Sequence, residues 1–169
     1  MSERLQEKLK KIKLLALDFD GTLTVGAYVI FREDGMESVV CSRRDSYGIL
    51  NILPKLGIDT VVISKETNDV VLSRCKKIGI KCWHGVDNAN DKLEILQSYA
   101  KENSLTAGQI CYGGDDINDI PCIEWAGFGF TVADGHILCK KKADYITEAK
   151  GGEGAGREVC EMILQAQNK

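Results

Sequence analysis

Two aspartates two residues apart, Asp18 and Asp20, close the apolar run Leu14-Leu15-Ala16-Leu17 and precede Gly21, Thr22, Leu23 and Thr24. Four apolar residues in succession read as a strand buried on both faces. Open parallel sheets bind their ligands at the carboxyl ends of strands. Two carboxylates placed there without partners would cost several kcal/mol. A hard cation held by carboxylate oxygens beside a phosphate removes that cost. A plain strand ending in an Asp-Gly turn is the other reading of the same residues.

Three more stretches carry polar groups at the ends of apolar runs. Ser64 follows Ile58–Ile63, and its hydroxyl would stand beside a helix start whose amides can bind phosphate oxygens. A simple turn or cap serine is the alternative. Lys92 opens a helix expected over 91–102 with Asp91 as its cap, where a cation works against the helix dipole. Neutralising a phosphoryl group would explain that placement; a solvated surface lysine is the plainer account. Gly113-Gly114-Asp115-Asp116-Ile117-Asn118-Asp119 sets three acids after the strand expected at 109–113. Clustered carboxylates repel one another unless a cation is near. A capped helix with an acidic first turn is the weaker reading here.

The elements that must position these residues alternate strand and helix along the chain. Strands are expected at 14–17, 58–63, 80–83, 109–113, 127–132 and 145–146. Helices are expected at 45–56, 69–78, 91–102, 121–126, 136–142 and 157–167. This alternation predicts an α/β fold, a Rossmann-like doubly wound parallel sheet with helices on both faces. Residues 27–31 and 36–41 around Asp34-Gly35 read as a β-hairpin flap over about 27–41. Gly151–Gly156 reads as a flexible loop within a Gly-rich C-terminal tail over 150–169. No repeat or linker divides residues 1–169, which predicts one domain.

A chain of 169 residues with 44% hydrophobic and 28% charged residues can bury about 70% of its unfolded surface. A net charge of −3 gives no electrostatic footprint for nucleic acid or an anionic membrane. No apolar run approaches a membrane span, and the charged N-terminus has no signal-like apolar core. Seven cysteines with no CxxC pair predict free thiols and a reducing cytoplasm.

Asp18-Phe19-Asp20-Gly21-Thr22, Ser64, Lys92 and Gly114-Asp115-Asp116-Ile117-Asn118-Asp119, in that order, resemble the motifs of the haloacid dehalogenase superfamily of phosphotransferases. The resemblance covers almost the whole chain. It implies a Mg²⁺-dependent phosphomonoesterase working through an aspartyl-phosphate. Asp18 would be the nucleophile, Asp20 the general acid/base, and Ser64 and Lys92 the phosphate-binding pair. Asp18, Asp20 and Asp115 would hold Mg²⁺, with Asp116 and Asp119 supporting them. Asp119 would orient that shell or contact Lys92.

The span 25–44 holds only the hairpin, so the chain resembles the members that have no cap domain. Among these are the nonulosonate (sialic acid type) 9-phosphate phosphatases, the 3-deoxy-octulosonate 8-phosphate phosphatases and the C-terminal domains of sialic acid cytidylyltransferases. Their common form is a homotetramer in which hairpin and tail complete a neighbouring site. After Ser64 this chain reads Lys65-Glu66, where octulosonate enzymes tend to have Gly-Arg. Glu66, Arg74 and Lys77 are similar to the nonulosonate pattern, although Lys65 stands where glycine is usual. The resemblance therefore implies a nonulosonate 9-phosphate as substrate, with octulosonate 8-phosphate as the alternative. Arg74 and Lys77 share a helix face, and Arg157 could hold a substrate carboxylate. The same four residues could also decorate solvent-facing helices. Rivals of another class are a non-catalytic tetramerisation domain, which has no need of crowded acids, and a phospho-receiver domain. In a receiver the phosphorylated Asp follows the third strand, whereas this one ends in Trp83-His84.

Overall fold

The computed structural model describes residues 1–26 and 28–168. Ala27, where the hairpin was expected to begin, and Lys169, the expected end of the tail, lie outside the described residues. The strands are β1 (Leu14–Leu17), β2 (Ile30–Phe31), β3 (Glu37–Ser38), β4 (Asp59–Ile63), β5 (Lys81–Trp83), β6 (Ile110–Gly114), β7 (Phe128–Thr131) and β8 (Tyr145–Ile146). The helices are α1 (Glu3–Leu9), α2 (Arg43–Tyr47), α3 (Val70–Lys77), α4 (Ala89–Glu102), α5 (Ile120–Trp125), α6 (Ile137–Lys142) and α7 (Ala155–Gln167).

Six strands form one parallel sheet in the order β5-β4-β1-β6-β7-β8. Every residue of β1 is buried, as an apolar run with neighbours on both edges and helices on both faces requires. Leu17 lies opposite Val62 of β4 on one side and Gly113 of β6 on the other. The winding direction reverses between β1 and β6, and the crevice beyond such a reversal is where open sheets take their ligands. Side chains alternate across the sheet. Leu15, Leu17, Val62 and Phe128 pack with α1, α3 and α7, while Leu14, Ala16, Ile63 and Tyr112 pack with α4 and α5. Among the described residues no helix is long and apolar enough to cross a membrane, and all seven cysteines are free.

The hairpin forms, with β2 and β3 antiparallel and Gly35 in the left-handed region at its tip. Thr24 and Cys41 bridge its base. Tyr28 and Phe31 on it are 79% and 78% exposed.

Three expectations need correction. The helix expected at 45–56 starts earlier, at Arg43, and passes into a π-helical turn at Gly48–Ile52 and a tighter turn at Leu53–Leu56. Pro54 has no amide to continue a regular ladder, and Leu50 is exposed while Ile49, Ile52 and Leu53 are buried. The cap of α4 is Asn88 rather than Asp91: its side-chain oxygen accepts the amides of Asn90 and Asp91 at 2.9 and 3.2 Å. Lys92 therefore sits one turn inside the helix. Finally, Gly151–Gly156 is not a loose loop. α7 already begins at Ala155, and Gly151 and Gly152 pack on the chain at Gly21–Thr24, where the backbone leaves no space for a Cβ.

Candidate active site

The chain leaves β1 at Asp18, whose amide still donates to Gly113 at 2.8 Å, and then turns at once. Gly21 makes the turn with φ +72°, and its amide donates to Thr24 Oγ1 at 2.9 Å. A side chain at Gly21 would run into the carboxylate of Asp115, which shows how closely the ends of β1 and β6 approach. The other two glycines of the site serve the same purpose: the Phe130 ring fills the place of a Cβ on Gly113, and Asp119 that on Gly114.

Carboxylate oxygens of Asp18, Asp115 and Asp119 lie within 4.8 Å of one another. Lys92 reaches into this group from α4, fully buried, with Nζ 2.5 Å from Asp18 Oδ1 and 2.7 Å from Asp119 Oδ1. Asp119 is saturated. Its Oδ1 also accepts the Tyr112 hydroxyl at 2.8 Å, and its Oδ2 accepts the Asp115 and Asp116 amides at 3.1 and 3.3 Å. Three carboxylates against one ammonium leave two negative charges in excess (three minus one). An all-oxygen donor set with that excess suits a hard divalent cation.

The electrostatics agree with a site short of positive charge. Burial pushes Asp115 from 3.8 up to about 7, with Asp119 and Asp116 adding to the effect. Burial, then the Asp119 charge, drives Asp18 well above the ordinary carboxylate value against the pull of Lys92. Burial alone would lower Lys92, but Asp18 and Asp119 outweigh it and keep the ammonium charged.

The remaining residues read from the sequence divide into those brought to this edge and those placed elsewhere. Asp20 is at the edge, but its carboxylate is outside the converging three. It faces a cavity of about 410 Å³ shared with Val29, Lys65, Glu66 and Thr67. Burial first, then Glu66, raises it from 3.8 to about 6. Ser64 is buried at the end of β4, beside β1, and its hydroxyl accepts the Glu66 amide at 3.0 Å, which leaves its proton to donate. The helix expected beside it starts only at Val70, with Asn68 accepting the Val70 amide. Asp116 turns outward and caps the turn Ile117–Asp119.

Arg74 and Lys77 line a different cavity, with Arg43, Ser46 and Tyr47, and Arg74 donates to Ser46 Oγ at 2.5 Å. Arg157 binds Glu161 at 2.6 Å and stacks on the Tyr47 ring. These three cations are thus not gathered with Asp20 and Glu66. Sequence reasoning missed Tyr112 and Thr24, because a strand tyrosine and a turn threonine carry no spacing signal.

The haloacid dehalogenase-like hydrolase family matches residues 63–157. The 3-deoxy-D-manno-octulosonate 8-phosphate phosphatase of Salmonella typhi is 34% identical over 169 residues, 100% of this chain and 88% of that protein. Among solved structures, a probable YrbI family phosphatase from Pseudomonas syringae is 38% identical, with TM-score 0.91, over 98% of this chain and 92% of that one. The octulosonate 8-phosphate phosphatase of Moraxella catarrhalis, solved with a magnesium ion, a phosphate ion and KDO, is 35% identical with TM-score 0.92 over 99% and 94% of the two chains. With motif order, fold and the acid cluster in agreement, this chain belongs to the haloacid dehalogenase-like hydrolases and is a phosphoric monoester hydrolase without a cap domain.

Proposed function

We propose that the protein is a Mg²⁺-dependent phosphatase of a phosphorylated 2-keto-3-deoxy sugar acid, and that its substrate is 3-deoxy-octulosonate 8-phosphate. The observation that carries this reading is the convergence of Asp18, Asp115 and Asp119 around Lys92, in a chain similar end to end to octulosonate 8-phosphate phosphatases. The comparisons favour this substrate over the nonulosonate 9-phosphate expected from residues 64–77.

Lys92 occupies Asp18 Oδ1, so Oδ2 is the oxygen available to attack phosphorus. The P–O bond to Asp18 forms as the bond to the sugar oxygen breaks, and Asp20 gives its proton to that leaving oxygen. A carboxyl raised to about 6 is poised for this exchange near neutral pH. Water then attacks the aspartyl-phosphate, its proton returns to Asp20, and phosphate leaves. Ser64 and Lys92 hold the phosphoryl oxygens, while Asp119 and Tyr112 hold Lys92 in place. Asp18 and Asp115, with Asp119 beside them, would hold Mg²⁺, which supplies charge neutralisation at the phosphoryl oxygens. Asp20 could add only its main-chain oxygen, since its carboxylate points to the Glu66 cavity.

A nonulosonate 9-phosphate is the second reading. It is favoured by Glu66, which shares the Asp20 cavity and could accept sugar hydroxyls. We read residues 1–169 as one domain and the exposed apolar flap as the contact for a homotetramer. The free thiols support a reducing, cytoplasmic setting. Hydrolysis of both phosphosugars with Mg²⁺ separates the readings: a kcat/KM at least about tenfold higher on the octulosonate supports the first. The reverse ratio supports the second, and no turnover of either supports a non-catalytic assembly domain. Asp18→Asn is expected to abolish turnover and keep the fold; full activity in that variant would end the nucleophile assignment.

A further inference from the structure

Asp45 lies on α2, only 2% exposed, and touches none of the reacting groups. Its Oδ1 accepts the Arg157 amide at 2.9 Å, and the amides of Gly154 and Gly156 turn toward the same carboxylate. The N-cap position of α7 is Gly154, which has no side chain to accept these donors. Asp45 therefore caps a helix 13 residues long from another element, with its charge at the positive end of the helix. Its Oδ2 is buried without a partner, a penalty no simple surface cap would carry.

The chain just before this cap bears on the active site. The Gly152 amide donates to the Thr22 carbonyl at 3.0 Å, and the Gly151 amide donates to Asp134 at 2.9 Å. Gly151 and Gly152 lie so close to Gly21 and Thr24 that only glycine fits. The segment 151–154 is thus fastened by Asp134 at one end and by Asp45 through α7 at the other, with the turn after Asp18 between.

We propose that Asp45 is a positioning residue for phosphoryl transfer: by capping α7 it presses residues 151–154 onto the Asp18–Thr24 turn and fixes where Asp18 and Asp20 stand. This rests on the reading above that Asp18 and Asp20 react. The test uses Asp45→Ala, Asp45→Ser and Asp45→Asn in the full chain. The readouts are amide hydrogen exchange and the kinetics of p-nitrophenyl phosphate hydrolysis with Mg²⁺. Asp45→Ala is expected to speed exchange in peptides 18–26 and 151–157 together, and to lower kcat about tenfold or more with KM within twofold. Asn keeps a side-chain oxygen in place and is expected to restore most of both. If Ala does not fold, Ser carries the test, with the same paired loosening to a smaller extent. Faster exchange at 151–157 with wild-type exchange at 18–26, or a folded Ala or Ser variant with kcat within twofold of wild type, would overturn the proposal. A wild type that hydrolyses no monoester refutes the catalytic reading instead, and the paired exchange still decides the coupling.

Discussion

Replacing Lys92 by methionine removes the ammonium while keeping the length of the side chain. Lys92 and Asp119 are fully buried and the Asp18 side chain is 7% exposed, so water screens little of what is lost. At contacts of 2.5 and 2.7 Å, each ion pair carries on the order of 6 kcal/mol of Coulomb attraction at an effective dielectric of about 20. Desolvation cancels much of that, and breaking a buried pair costs about 3–5 kcal/mol because a charge is left uncompensated. Against a total stability of about 5–15 kcal/mol, the loss is a large fraction. For a chain of this size it corresponds to a fall in Tm of roughly 6–20 °C.

Thermal unfolding followed by circular dichroism, without metal and then with saturating Mg²⁺, reads both halves of the argument. Without metal, Lys92→Met is expected to melt in that lower range. With Mg²⁺ the gap to wild type is expected to narrow, because a cation again sits among the carboxylates. A variant melting within about 2 °C of wild type without metal would mean that the acids do not depend on the ammonium. The charge excess assigned to the site would then be wrong.

Two further outcomes follow from the same edge of the sheet. Gly21→Ala places a Cβ against the Asp115 carboxylate in a left-handed backbone position, so a stability loss of at least about 1–2 kcal/mol is expected. A Mg²⁺ activation constant raised about tenfold is also expected, and a metal titration that overlays wild type would contradict it. Asp115 is raised in the folded state to about 7, so its favourable contribution is complete below 3.8 and disappears as pH climbs through 7. The metal-free protein is therefore expected to lose Tm between pH 5 and 8, and Mg²⁺ to raise Tm more at pH 8 than at pH 5. Equal Mg²⁺ shifts at the two pH values would count against Asp115 as a ligand.

The strands were legible because β1 and β6 are buried along their length and β4 over Val61–Ile63, so their apolar residues stand together in the chain. The acids were legible because they follow such runs, and Lys92 because a cation near a helix start works against the dipole. What failed to show was whatever depends on a partner distant in the chain. Gly151–Gly156 has the composition of a mobile loop, and only the turn at Gly21–Thr24 reveals that its glycines permit close approach. Asp18 and Asp20 are two apart, which would align them on one strand face, but the strand ends at Leu17 and the turn at Gly21 sends Asp20 toward Glu66. Asp119 takes the third place in the cluster. Arg157 shows a charge to the reader of a sequence, yet it is its amide that Asp45 uses.

At a pH above the raised titration ranges of Asp18 and Asp115, the excess of two negative charges also constrains the order of binding. A phosphate monoester brings about two more, and like charges about 4 Å apart repel by about 4 kcal/mol per pair at an effective dielectric of about 20. Lys92 offsets only part of this: two of its three protons serve Asp18 and Asp119, and its single charge is already counted against the carboxylates. The anion must therefore find the site already neutralised, which makes metal binding the prerequisite. Inorganic phosphate gives a direct test. At a hundred times its Kd a ligand stabilises by about 2.7 kcal/mol, or roughly 5–11 °C in Tm here. That shift is expected with Mg²⁺ present and not in its absence. An equal shift from phosphate alone would mean that the carboxylates are not jointly ionised, and that Lys92 faces the anion without a metal beside it.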